Sequence, residues 1–136
     1  MPAAPRLLAL IPAFGLMAGC VTAPAGNAQT PTPQDQTYLK YAGPPLDSIT
    51  YLGRYDGFRA LDGQYLVIWT TYRDAYLIKV RDPCNQLPLA NRVGLTSSVR
   101  TVNRNFDFVL ADQQRCRIGT IQRLDVDAMK RDHLGP

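Results

Sequence analysis

The sequence predicts a mainly β domain, with α+β as the alternative: a small antiparallel meander or barrel-like sheet carrying one or two short helices and one disulfide. Three observations lead there. Short apolar runs rich in β-branched and aromatic residues recur from position 58 onward, polar turn residues separate them, and two cysteines, Cys84 and Cys116, fall among them. Residues 46–136 are enough for one small domain and too few for two, and they contain no internal repeat.

The elements follow in order. Residues 64–71 (QYLVIWTT) form the clearest strand, and Asp62-Gly63 just before them is the dipeptide of a tight hairpin, which makes 58–61 the partner strand. Residues 76–80 (YLIKV) return across Tyr72, Arg73, Asp74 and Ala75, completing a three-strand meander. In the central run Tyr65, Val67 and Trp69 share one face and Leu66 and Ile68 the other, so both faces are at least partly buried. At Asp82-Pro83-Cys84, Asp can cap a helix, Pro suits its first position and Pro88 stops it, predicting one or two helical turns that present Cys84. Residues 92–96 and 99–102 are weaker strands. A second hairpin joins 106–110 (FDFVL) to 116–124 (CRIGTIQRL) through Asp112, Gln113 and Gln114. Asp125 or Asp127 caps a last helical turn through Ala128 and Met129, with Lys130, Arg131 and His133 at its negative end.

The first 45 residues have a different character. Arg6 supplies positive charge, residues 7–17 are apolar, and Ala18 and Gly19 place small side chains before Cys20. The apolar run is about half the roughly 20 residues a membrane span needs, and Pro12 interrupts it. Leu16, Met17, Ala18, Gly19 and Cys20 resemble the lipobox of bacterial lipoprotein signals, with Met17 where Leu is usual. The resemblance implies a signal peptide at 1–19, cleavage before Cys20, and lipidation of that cysteine. Val21 stands where Asp would favour retention in the inner membrane, which points to the outer membrane, facing the periplasm. Two or more acyl chains make such an anchor stable. The alternative is an ordinary secreted protein cut after Ala28. Residues 20–45 are read as anchor and flexible linker, about 75 Å long if extended, or as a segment docked through Tyr38, Leu39 and Tyr41.

Three cysteines are an awkward number for an oxidising compartment, but with Cys20 carrying lipid, Cys84 and Cys116 remain as one pair. Free buried thiols are the competing reading. The segments AYLIKVRDPCNQL, FDFVL and CRIGTI resemble the core of a family of small uncharacterised proteobacterial envelope proteins, a domain of unknown function with two paired cysteines, over residues 46–125. That resemblance implies a Cys84–Cys116 disulfide and a β-rich domain, with no catalytic residues to carry over.

The inventory of chemistry is mostly negative. Every acidic side chain is aspartate, so acid-base catalysis would fall to pairs such as Asp56 with Asp62 or Asp125 with Asp127, each with an ordinary turn or cap explanation. His133 lies near the chain end, and no glycine-rich phosphate loop occurs. Zinc would want four ligands, and two remote cysteines with one histidine do not supply them; no metal, cofactor or catalytic residue is expected. Two features retain functional meaning. Aromatic and arginine residues cluster between 51 and 76, giving a possible ligand set of Tyr55, Arg59, Trp69, Tyr72 and Arg73, against core and rim packing. The net charge is +4, and about +3 without Arg6. That mild excess lacks the basic stripe of a nucleic-acid binder, and it fits either anionic envelope polymers and lipid phosphates or arginines on solvated strands. The expected function is a non-catalytic envelope lipoprotein that binds a protein or polymer partner. The alternatives are an enzyme using an Asp acid or base on an envelope glycan or peptide, and an inhibitor with a rigid loop near Cys84 or Arg104.

Overall fold

The structure is a computed structural model, and it describes residues 32–136. The expected signal peptide, Cys20 and the start of the linker lie outside the described residues. The elements run α1 (Pro33–Leu39), β1 (Ala42–Leu46), β2 (Ser48–Thr50), β3 (Gly57–Ala60), β4 (Tyr65–Thr71), β5 (Asp74–Val80), a 3-10 turn at Leu87–Leu89, β6 (Val93–Leu95), β7 (Thr101–Asn103), β8 (Phe108–Ala111), β9 (Gln114–Leu124) and α2 (Val126–Arg131). The fold is mainly β: a nearly closed, barrel-like antiparallel sheet with two short helices.

The β4–β5 hairpin is the centre of the sheet because its residues are apolar on both faces. Strand order is β3-β4-β5-β9-β8-β6, and β1 pairs with the second half of β9, while β2 and β7 form a separate ribbon. Cross-strand partners such as Leu66 with Ile78 point into the barrel, where Ile118 and Ile121 from β9 and Val102 from β7 meet them. Their neighbours Val67 and Leu77 point out, onto a second cluster built with Trp69, Tyr38 of α1 and Met129 of α2. Alternation therefore serves two cores at once. The sheet curls at a bulge, where Lys79 pairs with Thr120 and Val80 with Ile118, leaving Gly119 unpaired. A Cβ at Gly119 would lie 3.1 Å from the Lys79 carbonyl oxygen, which explains glycine there.

Several expectations need correction. From Thr32 onward the segment read as linker to Pro45 is built into the domain. The Thr32 hydroxyl accepts from the Asp35 amide, Asp35 reciprocates to the Thr32 amide, and Pro33 occupies the first turn, so a seven-residue helix starts cleanly. β1 then joins β9 through Ala42 with Leu124 and Leu46 with Ile121. Asp132 of the C-terminal turn accepts from the Tyr41 hydroxyl and from Lys40 Nζ, holding the two ends of the described residues together. The scattered apolar residues hid this, because each meets a different partner rather than one continuous face.

The helical turns expected at Cys84 do not form. The Cys84 amide donates to the Gly63 carbonyl at 2.6 Å, so the loop is held to the β3–β4 turn, and Pro88 sits inside the short 3-10 turn that follows. That β3–β4 turn is not a two-residue one either: the Asp62 carboxylate accepts from the amides of Gln64 (2.7 Å) and Tyr65 (3.2 Å). Val99 and Arg100 have φ of 50° and 61° and form a turn, with the strand beginning at Thr101.

Asp35, in the first turn of α1, is fully buried. Its Oδ2 accepts from the Thr32 amide and hydroxyl at 2.6 and 2.8 Å, and its Oδ1 has no partner among the described residues. Burial raises its pKa above 3.8, the two Thr32 bonds oppose this, and the neighbouring Asp62 carboxyl adds to the rise. A raised folded-state value means that the proton's contribution to stability is complete below 3.8 and is lost as pH climbs through the elevated value. Asp35→Asn keeps the acceptor for Thr32 and offers a donor towards Asp62. It is expected to stabilise the domain by about 1 kcal/mol at pH 7 and not at pH 3.5, measured by urea unfolding across that range. An equal effect at both pH values would contradict the assignment.

Candidate functional site

The five residues expected to bind ligand do not converge. Trp69 is 1% exposed and lies beneath the helices, with its Nε1 unpartnered among the described residues. Arg59 stands opposite Val67 on that same outer face and donates to the Tyr38 hydroxyl at 2.9 Å, fixing α1 to β3. Tyr55 packs against the barrel core, edge-on to Phe58 at 5.9 Å. Tyr72 and Arg73 form the β4–β5 turn, where the Arg73 guanidinium lies 5.0 Å and Lys130 Nζ 5.7 Å from the Tyr72 ring centre. Packing thus accounts for three of the five, and the turn pair is exposed.

Three clefts among the described residues carry polar groups, and the one beside α1 that Arg59 lines with Gln34, Thr37 and Tyr38 is small, about 170 Å³. Of the other two, the larger, about 810 Å³, runs beside β6 and is lined by Gln86, Asn91, Arg92, Gly94, Leu110 and Asp112. It is shallow, and the Asp112 carboxylate is occupied by the amides of Asn91 (3.3 Å) and Arg92 (3.2 Å). The smaller, about 440 Å³, lies at the barrel end that carries the β4–β5 turn, and Thr50, Leu52, Arg54, Asp56, Thr70, Thr71, Asp74 and Tyr76 line it. We take this second cleft as the candidate site, because charged and hydroxyl side chains from three segments converge on it.

The geometry of that cleft follows from the chain. The 51–56 loop is pinned at both ends, by the Tyr51 amide on the Arg100 carbonyl (2.8 Å) and the Asp56 amide on the Trp69 carbonyl (2.7 Å). Gly53 takes φ 77° between them, a conformation side-chain-bearing residues resist. The pinning directs Arg54 and Asp56 across the ends of β4 and β5. Asp74 is already engaged, by Arg123 and by the Thr71 hydroxyl at 3.1 Å. Arg54 and Asp56 make no side-chain hydrogen bond or ion pair among the described residues. Tyr76 is half-buried; burial raises its pKa above 10, Asp74 adds to the rise and Arg123 opposes it, so the phenol stays protonated at neutral pH. The cleft can therefore offer a cation, an anion and hydroxyls to one ligand.

In the sequence Arg54 stands out only as one member of the aromatic–arginine cluster and Asp56 only as half of a pair with Asp62, and no local signal marks Asp74 or Thr50, which the fold brings in from other strands. Of the aspartate pairs, Asp62 closes its turn and Asp125 caps α2 through the Ala128 amide, so neither pair forms a joint site. His133 follows the Asp132 cap of α2 with φ 58°. Among the described residues no cluster of three or more His, Cys or Asp could hold a metal ion, and no helix is long and apolar enough to cross a membrane.

Cys84 and Cys116 stand at disulfide distance, with Cα atoms 5.9 Å apart, both within the barrel core. The model of a family of unknown function (DUF6491) matches residues 3–133 of the chain. No curated protein and no solved structure matches it.

Joining the β5–β6 loop to β9 across 32 residues restricts the unfolded chain. Replacing both cysteines by alanine is expected to lower unfolding free energy by about 3 to 4 kcal/mol, with reduction of the parent doing the same. Unfolding curves insensitive to reductant would contradict this.

Proposed function

We propose that this chain, which belongs to the DUF6491 family of unknown function, is a non-catalytic binding module. In this reading it is tethered through Cys20 to the bacterial outer membrane, faces the periplasm, and takes a polar protein or polymer partner in the Arg54–Asp56 cleft. The observation that carries the binding site is the pair itself. Two opposite charges, two residues apart and exposed, leave each other and the rest of the described residues unpaired while a pinned loop holds both over one cleft. Some opposite charges elsewhere among the described residues do pair, as Arg104 does with Asp47 at 2.9 Å. The cysteine pair at disulfide distance supports an oxidising compartment, which agrees with export.

A second reading has one specific support: Asp56 is an unpaired carboxylate in a cleft beside Tyr76. An enzyme acting on an envelope glycan or peptide would use Asp56 as acid or base there.

Two experiments separate these claims. Peptide mass spectrometry of membrane-fractionated protein is expected to find an acylated fragment beginning at Cys20, absent in Cys20→Ser; an unmodified soluble product overturns the tether. For the cleft, a photo-crosslinker at Leu52 is expected to capture a defined envelope component. Arg54→Gln with Asp56→Asn should cut capture at least about tenfold, since each charged contact is worth more than 1 kcal/mol. Capture unchanged by both substitutions removes the site, and product formation lost in Asp56→Asn replaces binding by catalysis.

A further inference from the structure

The outer face of the sheet is covered only in part. Over β4, β5 and the end of β9 most outward side chains are apolar and meet α1 and α2, as Val67, Leu77 and Leu124 do. Past the helices the same face continues over the end of β5, the start of β9 and β8. Its character changes there. Inward neighbours remain apolar, with Val109, Cys116 and Ile118 in the barrel core. The outward positions include Lys79, Arg81, Arg115 and Arg117, with Phe108, Leu110 and Thr120 among them. Phe108 pairs with Arg117 and Leu110 with Arg115 across the β8–β9 ladder. The guanidinium carbon of Arg115 lies 4.5 Å from the Phe108 ring centre, and that of Arg117 lies 5.9 Å away.

These four cations have no ion pair among the described residues, whereas Lys40, Arg104 and Arg123 each have one. The flanking acids are Asp82, next to Arg81, and Asp112, whose carboxylate is already held by two amides. A merely solvated face is ordinarily mixed in sign and has no need of a phenylalanine and a leucine among its charges. Cations surrounding apolar side chains are the composition of a surface that meets phosphate head groups and the acyl boundary beneath them.

The position of the tether favours that partner. α1 begins beside Asp62, at the β3–β4 turn, through the Asp35 carboxyl. Tyr65, just after that turn, pairs with Lys79, the first residue of the cationic face, and Lys79 Nζ lies 5.4 Å from the Tyr65 ring centre. The chain thus enters the domain at the end of the sheet where this face starts. Thr32 is twelve residues from Cys20, at most about 37 Å at 3.1 Å per residue, so an anchored domain stays within reach of the head groups.

We infer that the exposed β5–β9–β8 face docks on an anionic lipid surface, with Arg81, Arg115 and Arg117 on lipid phosphates and Phe108 and Leu110 at the acyl boundary. The orientation argument rests on the Cys20 tether; the face itself does not. Docking is a second attachment that would turn the Arg54–Asp56 cleft to a fixed direction.

The test uses the chain from residue 20 onward with Cys20→Ala, which carries neither an acyl chain nor the apolar run of residues 7–17, so its outcome concerns the face alone and leaves the Cys20 fragment mass to judge the tether. In flotation at low salt it is expected to rise with vesicles containing phosphatidylglycerol and to stay behind with pure phosphatidylcholine. Arg81→Gln, Arg115→Gln and Arg117→Gln together should lower the partition coefficient on the order of 100-fold, roughly fivefold per cation. Near-ultraviolet dichroism should show the triple variant folded as the parent is. Raising salt should release the parent. No flotation, equal flotation with both vesicle types, or a folded triple variant that floats like its parent would overturn the inference. Self-association without vesicle binding would assign the face to a second copy of the chain instead.

Discussion

Everything in this domain depends on sealing the β4–β5 hairpin on both sides. Leu66, Ile68 and Ile78 demand a closed barrel on one face, while Val67, Trp69 and Leu77 demand cover on the other. A small sheet cannot supply both from strands alone. The inner requirement is met by curling at the Gly119 bulge and bringing in β9, β8 and the β2–β7 ribbon. The outer one is met by α1 and α2, from the two ends of the described chain. This is why a segment as poor in apolar residues as 32–46 is nonetheless structural: Tyr38 and Ala42 join the outer cluster, and Leu46 packs against the inner one.

Much of this was legible in the sequence, for identifiable reasons. The hairpin was readable because β-branched and aromatic residues concentrate in 65–71 and 76–80, and the two apolar faces of 64–71 already implied burial on both sides. β8, β9 and the Asp125 cap followed from local patterns. What local pattern could not show was anything set by remote partners. The Cys84 loop looked helical through Asp82, Pro83 and Pro88, yet one amide bond to Gly63 overrode that tendency. α1 and β1 looked like linker because their contacts lie on β3, β9 and α2. The proposed ligand set failed for a related reason. Trp69 is sealed under the helices, Arg59 on the same outer face is engaged by the Tyr38 hydroxyl and Tyr55 packs on the inner core, while Arg54, Asp56, Asp74 and Tyr76 are gathered from a loop and a strand remote in sequence.

The surface divides according to how its charges are used. Some pairs are structural: Asp132 with Lys40 and Tyr41, and Arg104 with Asp47, hold chain segments in place. Exposed pairs of this kind each contribute little, typically below about 1 kcal/mol, and act mainly on register. Among the charges without an ion pair, two groups stand out by their surroundings, the Arg54–Asp56 cleft and the arginine face of β8 and β9. They differ in composition, one mixed in sign and concave, the other cationic around apolar side chains. Such a difference fits two distinct partners, a polar ligand and a lipid surface, on one small scaffold.

The double-sided burial of β4 can be read optically, since Trp69 is the one tryptophan in the chain and is 1% exposed. Acrylamide quenching of its fluorescence is the most direct measurement. The account expects blue-shifted emission and weak quenching in the intact chain, with both properties lost when α1 is unseated by Tyr38→Ala with Arg59→Ala. Solvent-like emission and full quenching of the intact, folded chain would contradict it, because the outer face of the hairpin would then be open.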